Sequence, residues 1–194
     1  ISPGFVIMIV MQVSYQNISE NIITMKQIGT FNDYLISPIS RIEILFALIV
    51  SNLFMSIFLA SICLFIFNII NNFNSINYFY IYYYLIITSL IFSSIGSIVG
   101  FLFFTWDIQQ SISNFFIMPI SLLSGTFFSI NVVNSNWIFL FTYNPFYHIV
   151  TKFRNSFFGN NVFNYKEELY LLILTIFFIL ISIIVFRKGY RVIN

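Results

Sequence analysis

Charged side chains are sparse along this chain, and the stretches 1–19, 44–106, 108–151 and 169–186 contain no Asp, Glu, Lys or Arg. A membrane-spanning helix needs roughly 20 mainly apolar residues, at 1.5 Å each across about 30 Å of hydrocarbon. The pattern therefore predicts five spans, at about 4–22, 44–69, 78–104, 108–130 and 168–186, with the second stretch folding back at the polar run Asn71–Asn77. The runs are apolar on every face rather than alternating with period two, which excludes a transmembrane β-barrel. The expected fold class is all-α: a polytopic integral membrane protein forming a single transmembrane domain over 1–194.

Composition agrees. Of 194 residues, 59% are hydrophobic, 21% aromatic and only 7% charged, with a mean hydropathy of +0.94. Soluble domains carry roughly 25% charged residues, so a water-facing surface is excluded. A net charge of +2, without any basic run interleaved with aromatics, excludes a nucleic-acid partner. The lone Cys63 lies in an apolar run and permits no internal disulfide. The chain opens on Ile1 with no charged leader and is expected to begin inside a longer protein. Lys26, Arg41, Arg187, Lys188 and Arg191 put the 20–43 loop and the C-terminus in the cytoplasm. Lys152, Arg154 and Lys166 then fall outside by parity, against the same rule. A Tyr-rich cluster from Tyr78 to Tyr84 and Trp106 mark the two interfaces of the third span.

The interiors of the five predicted spans contain no Asp, Glu, Lys, Arg or His, so the chain lacks the usual relay for coupling to an ion gradient by itself. None of the seven glycines is followed by Lys and Ser or Thr, so the chain has no phosphate-cradling loop and any ATPase must be a separate subunit. The single His148 has no partner set for nucleophilic catalysis or for a metal, so no catalytic and no metal-binding residues are expected.

The loop after the first span reads as a short helix, a break and a restart. Ile28, Phe31 and Leu35 fall at i, i+3 and i+7, an apolar stripe that predicts an amphipathic helix lying at the interface or against a partner. Pro38 stops it, and Ser40 with Glu43 forms a capping-box pattern that opens the next span. Asp107 with Gln110 offers a similar pattern at the fourth. Gly96 and Gly100, with Ser89, Ser93 and Ser97, give the third span a small face for close helix approach. Pro119 and the Ser124-Gly125 pair predict a kink or break in the fourth, which at membrane depth survives only beside protein or a watery cavity.

Taken together these blocks resemble the type-2 ABC exporter permeases, the membrane subunits of drug, polysaccharide and lipid exporters. The resemblance rests on Gly29, Thr30, Phe31, Asp33, Tyr34 and Leu35, then Ser37, Pro38, Ser40, Arg41 and Glu43, which match the family's cytoplasmic coupling segment, here 28–41. Pro119 through Phe128 is similar to its proline and Ser-Gly helix, and Asn144, Pro145 and His148 followed by Arg154 to its Asn-Pro and Arg signature. Pro3-Gly4 matches the start of the family's second helix. Trp137 follows Asn136 where the family pattern has a proline.

The resemblance implies a six-span fold of which the first span is missing, with 131–160 forming an outer re-entrant helical hairpin. It also implies a second permease copy as homodimer partner and a cytoplasmic ATP-binding subunit that carries ATP and Mg, this chain needing no cofactor. Cargo would pass between copies by alternating access in a bacterial inner (plasma) membrane, in contact with lipid. Met8, Met11, Gln12, Tyr15, Asn114, Met118, Pro119, Leu122, Ser124, Gly125 and Phe127 are candidates for lining the path by helical face. A membrane scaffold or assembly subunit without transport activity is the alternative, and an intramembrane enzyme is disfavoured.

Overall fold

The computed structural model describes residues 2–71, 77–126, 141, 144–158 and 164–188. Its helices are α1 (Ser2–Ile28), α2 (Thr30–Ile36), α3 (Arg41–Asn71), α4 (Tyr78–Leu102), α5 (Trp106–Ile112), a π-helical turn (Ser113–Ile117), α6 (Met118–Leu123), α7 (Pro145–Phe157) and α8 (Tyr165–Lys188). The described residues form no sheet, as the apolar runs require. By length and composition α3 over Arg41–Ile70, α4 and α8 could each cross a bilayer. The first helix is long enough at 27 residues but carries more polar side chains, of which Ser14, Tyr15, Ser19 and Lys26 are buried.

α4 is the central post. Its small face meets α1, and a Cβ at Gly96 would run into the Tyr15 carbonyl and come within 2.7 Å of the Ile18 side chain. Glycine is therefore required by the closeness of the two backbones, as the sequence pattern anticipated. Val6, Ile7, Val10 and Met11 of α1 join Leu85, Ile91 and Phe92 of α4 in the main core. α3 and α8 pack around this pair and expose large side chains such as Phe54, Phe58, Phe65, Ile173 and Phe177. In a chain this apolar, such faces suit lipid.

The helix ends sort into two groups. Lys26 reaches the end of α4, and Arg41 at the start of α3 donates to the Arg187 carbonyl near the end of α8 at 3.0 Å. At the opposite end, the Asn77 N–H before α4 donates to the Ser156 carbonyl of α7, and Tyr84 and Lys152 both reach Glu168 at the start of α8.

Boundaries differ from the sequence expectation in both directions. α1, α3 and α8 extend beyond the predicted 4–22, 44–69 and 168–186, because polar and charged residues at helix ends do not break the backbone ladder. α4 stops at Leu102, two residues short, where Phe103 turns to extended backbone. Of the segment 131–160, where a hairpin is expected, only 141 and 144–158 are described, the latter containing α7, and Phe127 and Trp137 lie outside the described residues.

Candidate transport path and coupling surface

In the segment expected to couple, α1 ends at Gly29, whose φ of +87° lies in the left-handed region that glycine enters without penalty. α2 follows, and Ser37 takes extended backbone ahead of Pro38. The restart is a formed capping box: the Ser40 N–H donates to Glu43 Oε2 at 2.9 Å, and the Glu43 N–H donates to Ser40 Oγ at 3.3 Å. These bonds hold the Glu43 carboxyl below the usual range. The Asp107 and Gln110 pattern does not close in this way. Thr105 takes the N-cap position, and the Gln110 amide donates to Asn114 instead.

Phe31 is turned inward. It is 2% exposed and packs at 6.2 Å from the Phe101 ring and 6.0 Å from the Phe186 ring, which stack on each other at 4.5 Å. The member of the stripe expected to meet a partner therefore anchors α2 to the chain's own bundle. Ile28 at 71%, Ile36 at 83%, Tyr34 and Ile39 remain uncovered, beside exposed Asp33 and Arg41. Between α2 and α3 lies a groove of about 350 Å³ lined by Met25, Phe31, Tyr34, Ile39, Ile44 and Leu48. Thr30 Oγ1 donates to the Met25 carbonyl and Ser37 Oγ to that of Tyr34, holding the turn at each end of α2.

The element expected to kink runs from Trp106 to Leu123 and contains a π-helical turn. Proline at 119 cannot donate to the preceding turn, and the π-helical turn at Ser113–Ile117 sits directly ahead of it. The helix ends at Leu123, and Gly125 takes φ +74°. Asn114, Phe115, Phe116, Met118, Leu122 and Leu123 are exposed on this element, with Phe5 exposed on α1. Gln12 and Pro119 are half-buried, whereas Met8, Met11, Tyr15, Ser124 and Gly125 are covered by the chain's own packing. The Tyr15 hydroxyl donates to the Gln109 carbonyl at 3.2 Å, and the Gln16 amide donates to Ser113, which fasten α1 to the α5 to α6 element. Of the candidate path residues, Asn114, Met118 and Leu122 are thus exposed, Gln12 and Pro119 are half-buried, and Met8, Met11, Tyr15, Ser124 and Gly125 are packed.

At the far end, Asn144 caps α7 by accepting from the Phe146 N–H at 3.0 Å, with Pro145 at the first helical position. His148 lies on α7 with its ring 5.9 Å from that of Tyr147. Arg154 Nη2 donates to the Gly125 carbonyl at 2.7 Å. Sequence reasoning missed two features. One is the group formed by buried Lys152, Glu168 and Tyr84 with the more exposed Glu167. The other is a polar seam through the bundle, in which the Asn52 amide donates to the Ser14 carbonyl and to Ser93 Oγ at 2.7 Å each, and Ser89 meets Ser56 at 2.7 Å. Serines four apart on α4 signalled close packing, but not hydrogen bonding to an asparagine of α3. Among the described residues no cluster of His, Cys, Asp or Glu could hold a metal.

A helical bundle in which α3, α4 and α8 are long and apolar enough to cross a membrane agrees with the comparisons to known proteins. The family model for the ABC-2 type transporter matches residues 1–158, and the chain belongs to that family of membrane transport permeases. Among curated proteins it is similar to the inner membrane transport permease YadH of Escherichia coli (strain K12), at 25% identity over 165 residues covering 83% of this chain and 63% of the relative. The protein of the same name from Shigella flexneri gives the same figures. The chain thus spans less than two thirds of the length of these relatives. No solved structure matches.

Proposed function

We propose that this chain is the membrane-spanning permease subunit of an ATP-driven exporter. It moves an amphipathic, lipidic, drug-like or saccharide cargo across the inner membrane by alternating access between two copies. A separate cytoplasmic subunit binds ATP and Mg and hydrolyses the nucleotide, this chain having no enzymatic role. α1, α3, α4, the kinked α5 to α6 element and α8 are the five spans, and the C-terminus lies in the cytoplasm. Asn114, Met118 and Leu122, with neighbouring Phe115 and Phe116, face the path, and Met and Phe suit apolar cargo through adaptable contact.

The observation that carries this reading is the way α2 is held. Phe31 locks the helix to the ends of α4 and α8, so a push on exposed Ile28, Tyr34, Ile36 and Ile39 is delivered to the bundle rather than absorbed by a loose loop. The test uses the full-length permease with each candidate ATP-binding subunit from the same organism. Ile28→Glu with Ile36→Glu alters only exposed side chains. It is expected to abolish co-purification and permease-dependent ATP hydrolysis while leaving thermal unfolding of the permease unchanged. Association that survives both substitutions would overturn the coupling assignment and favour a scaffold.

A further inference from the structure

Lys152 and Arg154 stand two residues apart on α7, a rotation of about 200° around a helix, so they leave on opposite faces. Lys152 Nζ lies 2.7 Å from Glu168 Oε1 and 3.0 Å from Glu167 Oε2 on α8, and the Tyr84 hydroxyl of α4 donates to the same Glu168 oxygen at 2.7 Å. The Lys152 and Glu168 side chains are only 11% and 5% exposed. On the other face, Arg154 Nη2 donates to the carbonyls of Gly125 and Thr126, at 2.7 and 3.4 Å. These carbonyls follow the end of α6, where the break leaves acceptors without the next helical turn. Both carbonyls lie just beyond α6, where Gly125 has turned to φ +74°, and the guanidinium supplies the donor that they lack.

We propose that α7 is a strap that positions the outer end of the kinked path helix, with Lys152 and Arg154 as positioning residues of export. This rests on the reading of α5 to α6 as path-lining. The ion pair with Glu168 fixes one face of α7 to α4 and α8, and the Asn77 to Ser156 backbone bond at 3.0 Å adds a second fastening on α4. α7 so fixed presents Arg154 to the break, and the break is tolerable at membrane depth because its carbonyls are met. Lys152 touches neither Gly125 nor Thr126, yet it governs them through the helix between. Removing it leaves Glu168 buried with its charge uncompensated, which the fold relieves by letting that face of α7 move.

The experiment is amide hydrogen exchange on the full-length permease in lipid nanodiscs, without any ATPase. Lys152→Met and Arg154→Met are each expected to speed exchange in 118–126 by at least about threefold. The double variant should be no faster than the faster single one, since both cut one strap. Lys152→Arg should keep the wild-type rate. Faster exchange confined to α7 and α8 in Lys152→Met, with 118–126 unchanged, would overturn the proposal, as would additive effects of the two substitutions. If Lys152→Met does not fold, Glu168→Gln preserves volume and hydrogen bonding and is judged by the same criterion. No motor enters the measurement, so the strap can fail with the coupling assignment intact, and the reverse.

Discussion

At the scale of single residues, Lys26 shows how a cation is used at the edge of an apolar bundle. It lies beyond the predicted first span, and its ammonium donates to the Phe101 carbonyl at 2.6 Å and the Phe103 carbonyl at 3.4 Å, 4.9 Å from the centre of the Phe104 ring. The carbonyls that end α4 thus find a donor. Burial lowers the pKa of Lys26 to about 8, below its value in the unfolded chain, so between about pH 8 and 10.5 the unfolded state binds more protons. The contribution of this residue to stability must rise with pH through that window. The unfolding midpoint of wild-type protein in detergent should climb relative to that of Lys26→Met between pH 7.5 and 9.5, and parallel curves would refute the linkage. From the sequence Lys26 served only as a marker of membrane side. Its partner is 75 residues away, and no local pattern records such a pairing.

At the scale of elements, what was legible was local. Pro38 as a stop and the Ser40 and Glu43 box both involve residues within a single turn, where side chain and backbone meet whatever the rest of the chain does. The direction of Phe31 was not legible, because an i, i+3, i+7 stripe shows that a face is apolar but not whether its cover comes from the same chain. Contact with Phe101 and Phe186 decides it. Phe31→Ala should cost about 3 kcal/mol, as for other fully buried aromatics, and should free α2. The expected result is a lowered unfolding midpoint together with new proteolytic cleavage between Gly29 and Pro38. Ile36→Ala, at an exposed position of the same helix, should change neither. Full protection in Phe31→Ala would mean that α2 is held by something other than this ring.

For the whole molecule, apolar run length located the long helices because hydrocarbon thickness imposes it on any chain, while the contacts between helices depend on polar atoms too few to leave a pattern. The seam from Ser14 through Asn52, Ser93, Ser89 and Ser56 joins α1, α3 and α4, and Ser97 meets Ser182 of α8 at 2.6 Å. Large apolar faces give little preference for protein over lipid, since both are greasy, so close packing and these bonds must select the helix register. Asn52 is central because both its amide hydrogens are used, one on the Ser14 backbone and one on Ser93. Asn52→Ala should therefore destabilise the bundle by about 1–2 kcal/mol, and Ser56→Ala by about 0.6 kcal/mol, within the range measured for hydrogen bonds between membrane helices. A double-mutant cycle between Asn52→Ala and Ser93→Ala, read by unfolding in mixed micelles, should show coupling, whereas Asn52→Ala with the remote Ser182→Ala should be additive. If Asn52→Ala proves neutral, register must come from the steric fit of Gly96 against Tyr15 alone. Gly96→Ala would then be the more damaging change of the two.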